Sequence, residues 1–239
     1  MRDRDCLRRF IFERYPIRGH LVHLDAAWRA LIEHRDYPMP IRDALGEAVA
    51  ASLLLAATIK FEGVLSLQMQ GDGPVHLLLA QCSGGLGVRG LARYREAGRQ
   101  PESARIGDLI GTGNLTVTLE TDDGAQRYQG IVPLSGQRLA ESLQVYFENS
   151  EQLPTRLWLH ADSLGASGML LQKLPGAESL TGAAADVRDE TEQLGDVDRI
   201  EHVGAIAKVA AHLDFAALGE HGTGLCFAEA LQHVGQPFA

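Results

Sequence analysis

Two turn signals, each set between runs of alternating apolar and polar residues, restrict the fold of this chain most. Leu65-Ser66-Leu67-Gln68-Met69-Gln70 alternates, Gly71-Asp72-Gly73-Pro74 turns the chain, and residues 75–80 (VHLLLA) resume an extended pattern. Leu115-Thr116-Val117-Thr118-Leu119 alternates in the same way, and the TDDG of residues 121–124 leads into RYQGIVPL at 127–134. A period of two places every second side chain on one face of a strand, and Gly-containing turns of this kind join antiparallel neighbours. Two hairpins are therefore expected. Gly84-Gly85 marks a further turn before a strand through residues 88–94, and shorter strands are expected at 155–160 and 169–172.

Helical periodicity surrounds these strands. Asp25 stands where an N-cap belongs, before a helix carrying Trp28, Leu31 and Ile32, which Pro38 and Pro40 break. A second helix is expected from Ile41 to about Phe61, with Leu45, Val49, Leu53, Ala56 and Ile59 at steps of three and four and Gly63 as its stop. Ser135 is the expected cap of a helix bearing Leu139, Leu143 and Tyr146. Helices, hairpin-linked strands, a helix and more strands make an α+β fold, mainly antiparallel sheet with packed helices.

Beyond Gly176 the composition shifts. Residues 181–239 are rich in Ala, Gly, Glu, Asp and His, and Leu194, Val197, Ile200, Val203, Ile206, Val209 and Leu213 recur at helical spacing. A helical C-terminal tail is expected there, interrupted by Gly195 and Gly204, with a loop at 219–224 and a short helix around Phe227 to Leu231.

Charge and cysteine usage exclude several function classes. The net charge of −9, from 22 basic and 31 acidic residues, disfavours general nucleic-acid binding. The N-terminus, MRDRDCLRRF, has no apolar stretch of a secretory signal. The apolar run at 48–59 is too short to span a bilayer. Cys6, Cys82 and Cys226 are widely spaced, which argues for a reducing, cytoplasmic compartment without a disulfide framework.

No catalytic constellation stands out. Gly85, Gly87 and Gly90 form a G-x-G-x-x-G pattern, which acts in dinucleotide binding only if it follows a strand and opens a long helix. Residues 91–97 are too short for that, so turns are the better reading. Nine histidines include His20 and His23, and His202 and His212, yet no H-E-x-x-H motif or paired cysteine accompanies them. Cys82 reads as a small core residue. Cys226 lies near His221 and His233 in sequence only, and Asp122-Asp123 reads as a turn. No catalytic, cofactor-binding or metal-binding residue is assigned, and the chain is not expected to be an enzyme.

An ordered set of segments resembles the heat-shock protein 33 family of redox-regulated bacterial chaperones. These are RGHLV at 18–22, HRDYPMP at 34–40, TIKFEG at 58–63, LQMQGDGP at 67–74, VRGLAR at 88–93, RYQGIV at 127–132, YFENSEQLPTR at 146–156 and GMLLQ at 168–172. The resemblance covers about residues 7 to 175. It implies an ATP-independent holdase that binds unfolding client proteins under oxidative or heat stress in the cytoplasm and forms a homodimer when active, without nucleic acid or membrane. It also implies a zinc switch of four cysteines in C-x-C and C-x-x-C motifs, whose oxidation releases zinc and unfolds the switch. Those motifs are missing in this sequence, so no cofactor is assigned to the chain. Residues 1–180 are expected to be the core domain. Residues 181–239 are expected to be a divergent tail in place of linker and switch: either a frameshifted end, which the abrupt loss of similarity favours, or a natural regulatory variant. The alternatives are a nucleotide-dependent enzyme using Gly85 to Gly90, and an inactive truncated product. Client-binding residues are not identifiable from sequence, because core and binding apolar residues look alike.

Overall fold

The structure, a computed structural model, describes residues 5–11, 17–95, 101, 103–124, 126–134, 136–174 and 225–226. Among the described residues, ten strands and four helices run in the order β1 (Cys6–Ile11), β2 (Ile17–Leu24), α1 (Ala26–Ile32), α2 (Met39–Thr58), β3 (Gly63–Gly71), β4 (Val75–Ser83), β5 (Val88–Tyr94), α3 (Ile106–Ile110), β6 (Gly113–Thr121), β7 (Arg127–Pro133), α4 (Leu139–Tyr146), β8 (Thr155–Ala161), β9 (Ala166–Lys173) and β10 (Leu225–Cys226). A π-helical turn, Phe147–Glu151, extends α4. Every strand pairing is antiparallel. The α+β class expected from the sequence is the observed one.

The strands form two sheets. Sheet A has the order β10-β1-β2-β9-β8, and sheet B the order β5-β4-β3-β6-β7. Sheet B holds both hairpins expected from the turn signals, β3-β4 and β6-β7, and pairs them through β3 and β6. Sheet A joins the first strands of the chain to those after residue 154. Its β1 and β2 were not expected from the sequence.

Helix α2 lies between the sheets, packing on β2, β8 and β9 of one and β3, β4 and β5 of the other. Its length of 20 residues and its burial reflect that position: Ile41, Ala44, Leu45 and every residue from Ala48 to Ala57 are buried. A helix covered on opposite sides cannot keep a polar face, so its apolar residues surround the axis instead of forming the single stripe its spacing suggested. Helix α1 ends at Ile32, before Pro38 and Pro40, and Pro40 lies in the first turn of α2, which ends at Thr58, before Gly63, which opens β3.

Helix α1 is capped from outside. Asp25 occupies the N-cap position without a side-chain cap hydrogen bond, its carboxylate pairing with Arg29 instead. The carboxylate of the buried Asp5 instead accepts from the Asp25 backbone N–H at 2.6 Å and the Ala27 backbone N–H at 3.1 Å. That satisfies donors that a helix start leaves without partners. Residue Trp28 is fully buried and donates its Nε1–H to the Asp162 carbonyl at 2.8 Å, tying α1 to the β8-β9 turn.

The Gly71-Asp72-Gly73-Pro74 turn locks onto the segment after α3. Gly73 N–H donates to the Ile110 carbonyl at 2.7 Å, and Thr112 N–H donates to Asp72 Oδ1 at 2.8 Å. Gly111 there has φ +72°, and a Cβ would fall 2.3 Å from Asp72 Oδ1, so both backbone conformation and space require glycine.

Arg138, and not the expected Ser135, is the N-cap of α4. Ser135 itself, the tail helix and the 219–224 loop lie outside the described residues, as does the short helix around Phe227 to Leu231. Among the described residues, no helix is long and apolar enough to cross a membrane.

Candidate functional site

Sheet A is where the two faces of the fold differ most from an ordinary half-buried sheet. One face belongs to the main core. The row Leu7, Val22, Gly168 and Leu159 crosses β1, β2, β9 and β8, and a Cβ on Gly168 would meet Leu54 of α2 at 2.8 Å. The neighbouring row Arg9, His20, Leu170 and Leu157 lies on the same face.

The opposite face is apolar as well. Its rows are Phe10, Gly19, Leu171 and Arg156, then Arg8, Leu21, Met169 and Trp158, then Cys6, His23, Ser167 and His160. Ile17 and Lys173 extend it at one end. Phe10, Ile17 and Leu171 form a hydrophobic cluster separate from the main core, with the half-buried Leu21 and Trp158 packed against it. The Phe10 ring lies over Gly19, where a Cβ would fall 2.1 Å from the ring, so only glycine lets the aromatic side chain lie flat on the sheet. An antiparallel sheet ordinarily buries one face and wets the other. Strand β9 instead is buried from Ala166 to Gln172, a continuous rather than alternating pattern.

Sheet B supplies the contrast. Its outer face carries Ser66, Gln81, Arg89, Thr118 and Gln129 in adjoining positions. Gln81 Nε2–H donates to Ser66 Oγ at 2.9 Å and Gln129 Nε2–H to Thr118 Oγ1 at 3.3 Å. Leu77, Leu79, Leu91 and the exposed Ile131 interrupt this polar surface.

The residues that invited chemistry in the sequence do not converge. His20 and His23 are three apart on a strand, which sends them to opposite faces. His20 is buried on the core face, with Nδ1 lacking a hydrogen-bond partner. His23 Nδ1 is 2.8 Å from Ser167 Oγ on the other face. Cys6 lies in sheet A, and Cys82 is buried in sheet B, where burial pushes its thiol up to about 12. A thiol so shifted is a poor nucleophile and a poor metal ligand. Among the described residues, no three His, Cys, Asp or Glu groups are placed to hold a metal ion. The described residues therefore do not fit the zinc that the resemblance implies. Histidines 202, 212, 221 and 233 lie outside the described residues, and of Cys226 only the backbone pairing with Cys6 is described. Asp122-Asp123 is a hairpin turn, closed by Gly124 N–H donating to the Thr121 carbonyl at 2.8 Å.

Gly85, Gly87 and Gly90 are also accounted for. Gly85 and Gly87 lie in the β4-β5 turn, where Leu86 N–H donates to the Ser83 carbonyl at 2.8 Å and Gly87 N–H to Ser83 Oγ at 3.0 Å. The turn leads into strand β5 and not into a helix, so the helix N-terminus that would hold a dinucleotide's phosphates is missing. Gly90 lies against Leu31, Leu45 and Val49. The nucleotide-binding alternative is not supported by this geometry.

His20 and Glu47 push the pH response of the fold in opposite directions: burial raises the Glu47 carboxyl to about 8, which favours the fold as pH falls, whereas His20 disfavours it. Burial first, then the positive charges of Arg9 and Arg18, lower the His20 pKa from 6.5 to about 4, against a raising hydrogen bond with the Ala57 backbone. Between those two values the unfolded chain takes up a proton at His20 that the folded chain refuses. The His20 contribution to stability therefore falls as pH drops from 6.5 toward 4, by up to about 3 kcal/mol, and is constant above 6.5. Thermal melts at pH 7 and 4.5 are expected to show that His20→Gln gains stability relative to the parent chain as pH falls, whatever the net direction that Glu47 adds to both. An equal change in the two chains would remove His20 as a contributor.

Comparison with known proteins places this arrangement. The sequence profile of the family described as Hsp33 protein matches residues 5–220, beyond the point near 175 where the resemblance in the sequence faded. The 33 kDa chaperonin of Methylobacillus flagellatus is 41% identical over 211 residues, covering 88% of this chain and 70% of that protein. The 33 kDa chaperonin of Nitrosococcus oceani is 49% identical over 178 residues, covering 74% of this chain and 60% of that protein. The crystal structure of the 33 kDa chaperonin (heat shock protein 33 homolog) of Thermotoga maritima superposes with a TM-score of 0.70 at 18% identity, over 86% of this chain and 71% of that one. That likeness bears on the fold alone. With a match over most of its length and relatives above 40% identity, the chain belongs to the Hsp33 family of chaperones.

Proposed function

We propose that this chain is an ATP-independent holdase that captures apolar segments of unfolding proteins on the outer face of sheet A and performs no reaction on them. The observation that carries this reading is a second apolar cluster outside the main core, in which Phe10, Ile17 and Leu171 are buried and Leu21 and Trp158 half-buried, so capture there requires that this face be uncovered first. Burial of apolar area contributes roughly 25 cal/mol per Å², so a client covering a few hundred Å² gains several kcal/mol before the entropic cost of association. Such a gain suits transient capture of many sequences, because it depends on area and not on directional bonds. The reading includes a cytoplasmic setting, a homodimer as the active form, and client proteins rather than nucleic acid or membranes as partners. Because the chain spans 60–70% of the length of these two chaperonin relatives, the activity of the whole family protein is carried over as a proposal only.

Suppression of light scattering by a thermally unfolding client tests the proposal. The 239-residue chain is expected to suppress aggregation at a few-fold molar excess without ATP. No suppression by the folded chain would sink the reading.

The thiols bear on regulation. Three cysteines without a C-x-C or C-x-x-C motif offer no four-thiolate zinc site in this chain. Hydrogen peroxide is therefore expected to leave suppression within about twofold of the untreated level, with no zinc detected by a chromogenic chelator. A large, reversible gain accompanied by zinc release would contradict it.

A further inference from the structure

The last described residues of the chain return to its first strand. Leu225 and Cys226 form β10 on the outer edge of β1, in antiparallel register, with Leu225 opposite Leu7 and Cys226 opposite Cys6. Residues facing each other in an antiparallel ladder have Cα atoms about 5.5 Å apart in a hydrogen-bonded pair and about 4.5 Å apart in the other kind. A disulfide spans Cα separations of about 4.4–6.8 Å, so either kind of pair meets its requirement. Two of the three cysteines, from opposite ends of the sequence, are thus placed on one rung of sheet A. The third is set apart: Cys82 is fully buried in sheet B, and burial pushes its thiol up to about 12, whereas Cys6 is half-buried. A ladder of two residues is a weak tether by itself, and a covalent bond across it would make the attachment of β10 permanent.

We infer that Cys6 and Cys226 form a reversible intrachain disulfide under oxidising conditions, which fastens the C-terminal segment to the β1 edge of sheet A. Hydrogen peroxide is a sufficient oxidant. The thiolate of one cysteine attacks a peroxide oxygen, the O–O bond breaks, and the sulfur becomes a sulfenic acid while hydroxide takes the thiol's proton and leaves as water. The second thiolate attacks that sulfur, the S–S bond forms, the S–O bond breaks, and hydroxide leaves with the second proton as another water. Two thiols and one peroxide give one disulfide and two waters, and the two electrons lost by the sulfurs are gained by the peroxide. A thiol reductant reverses the bond by exchange. The ring it closes runs through nearly the whole chain, and a cross-link over so long a loop restricts the unfolded state most. The bond lies in the row of Cys6, His23, Ser167 and His160, one row beyond Leu21, Met169 and Trp158, so the twofold limit expected for aggregation suppression under peroxide stands with the bond formed.

Peptide mapping of the full chain tests this directly, because trypsin separates the three cysteines into the peptides 5–8, 61–89 and 209–239. After peroxide treatment, alkylation of the remaining thiols and digestion without reductant, peptides 5–8 and 209–239 are expected to be joined with the loss of two hydrogens. Dithiothreitol should release them. The oxidised monomer should melt about 5–10 °C above the reduced one. Cys6→Ser should abolish both the link and the shift in melting temperature, and Cys82→Ser should retain both. Should Cys6→Ser fold poorly, Cys226→Ser takes its place. Absence of the joined peptides, or a link through Cys82 in their stead, overturns the inference. A link found only between two copies of the chain, separated on a non-reducing gel, overturns it too. So does a link that leaves the melting temperature unchanged, which would mark a chance encounter of the two thiols and not a pairing set by the fold.

Discussion

Replacing Leu21 and Trp158 together by aspartate is expected to lower aggregation suppression by at least about tenfold, since two carboxylates in an apolar contact cost more than the contact gains. Both positions are half-buried on the outer face of sheet A, directly across β9 from one another through Met169. They contribute to the smaller cluster and not to the main core, so the melting temperature should fall by only a few degrees. The matched control places aspartate at Thr116 and Thr118 on the outer face of sheet B, where suppression should stay at the parent level. If the double variant is poorly folded by circular dichroism, Trp158→Ala alone gives the same direction with a smaller loss. Parent-level suppression by a folded Leu21→Asp, Trp158→Asp variant would remove sheet A from the binding account.

Trp28→Ala is expected to have the largest effect on stability. The side chain is fully buried, its ring lies against Gly46 of α2, and its indole N–H satisfies the Asp162 carbonyl. Truncation empties a large volume between α1, α2 and the β8-β9 turn and leaves that carbonyl without its donor. Buried Trp to Ala changes cost about 3–5 kcal/mol, which in a domain of this size lowers the melting temperature by about 10 °C or more. Differential scanning calorimetry checks the figure. A shift under about 4 °C would show that the site collapses without penalty.

Locally coded elements were legible in the sequence, and those set by distant pairing were not. The β3-β4 and β6-β7 hairpins announce themselves through alternation and Gly-containing turns, because their partners are adjacent in the chain. Helix α2 is legible at nearly its observed limits, but its all-round burial depends on lying between two sheets, which no local pattern states. Strands β1 and β2 are not legible in this way. β2 pairs with β9 nearly 150 residues later, and its side chains face apolar surroundings on both sides, so IRGHLVHL does not alternate as a half-buried strand would. The outer face of sheet A shares that difficulty. Phe10, Leu21, Trp158 and Leu171 come from four separate strands, and only the register assembles them. One local signal is present: GMLLQ at 168–172 is a continuous apolar run where a one-faced strand would alternate.

Photo-crosslinking tests the central claim most directly. A photoreactive phenylalanine analogue placed at position 21 or, in a separate preparation, at position 118 is irradiated with a client held at its unfolding temperature. The account predicts client adducts from position 21 and none above background from position 118. Adducts of equal yield from both sheets, or from position 118 alone, would contradict it.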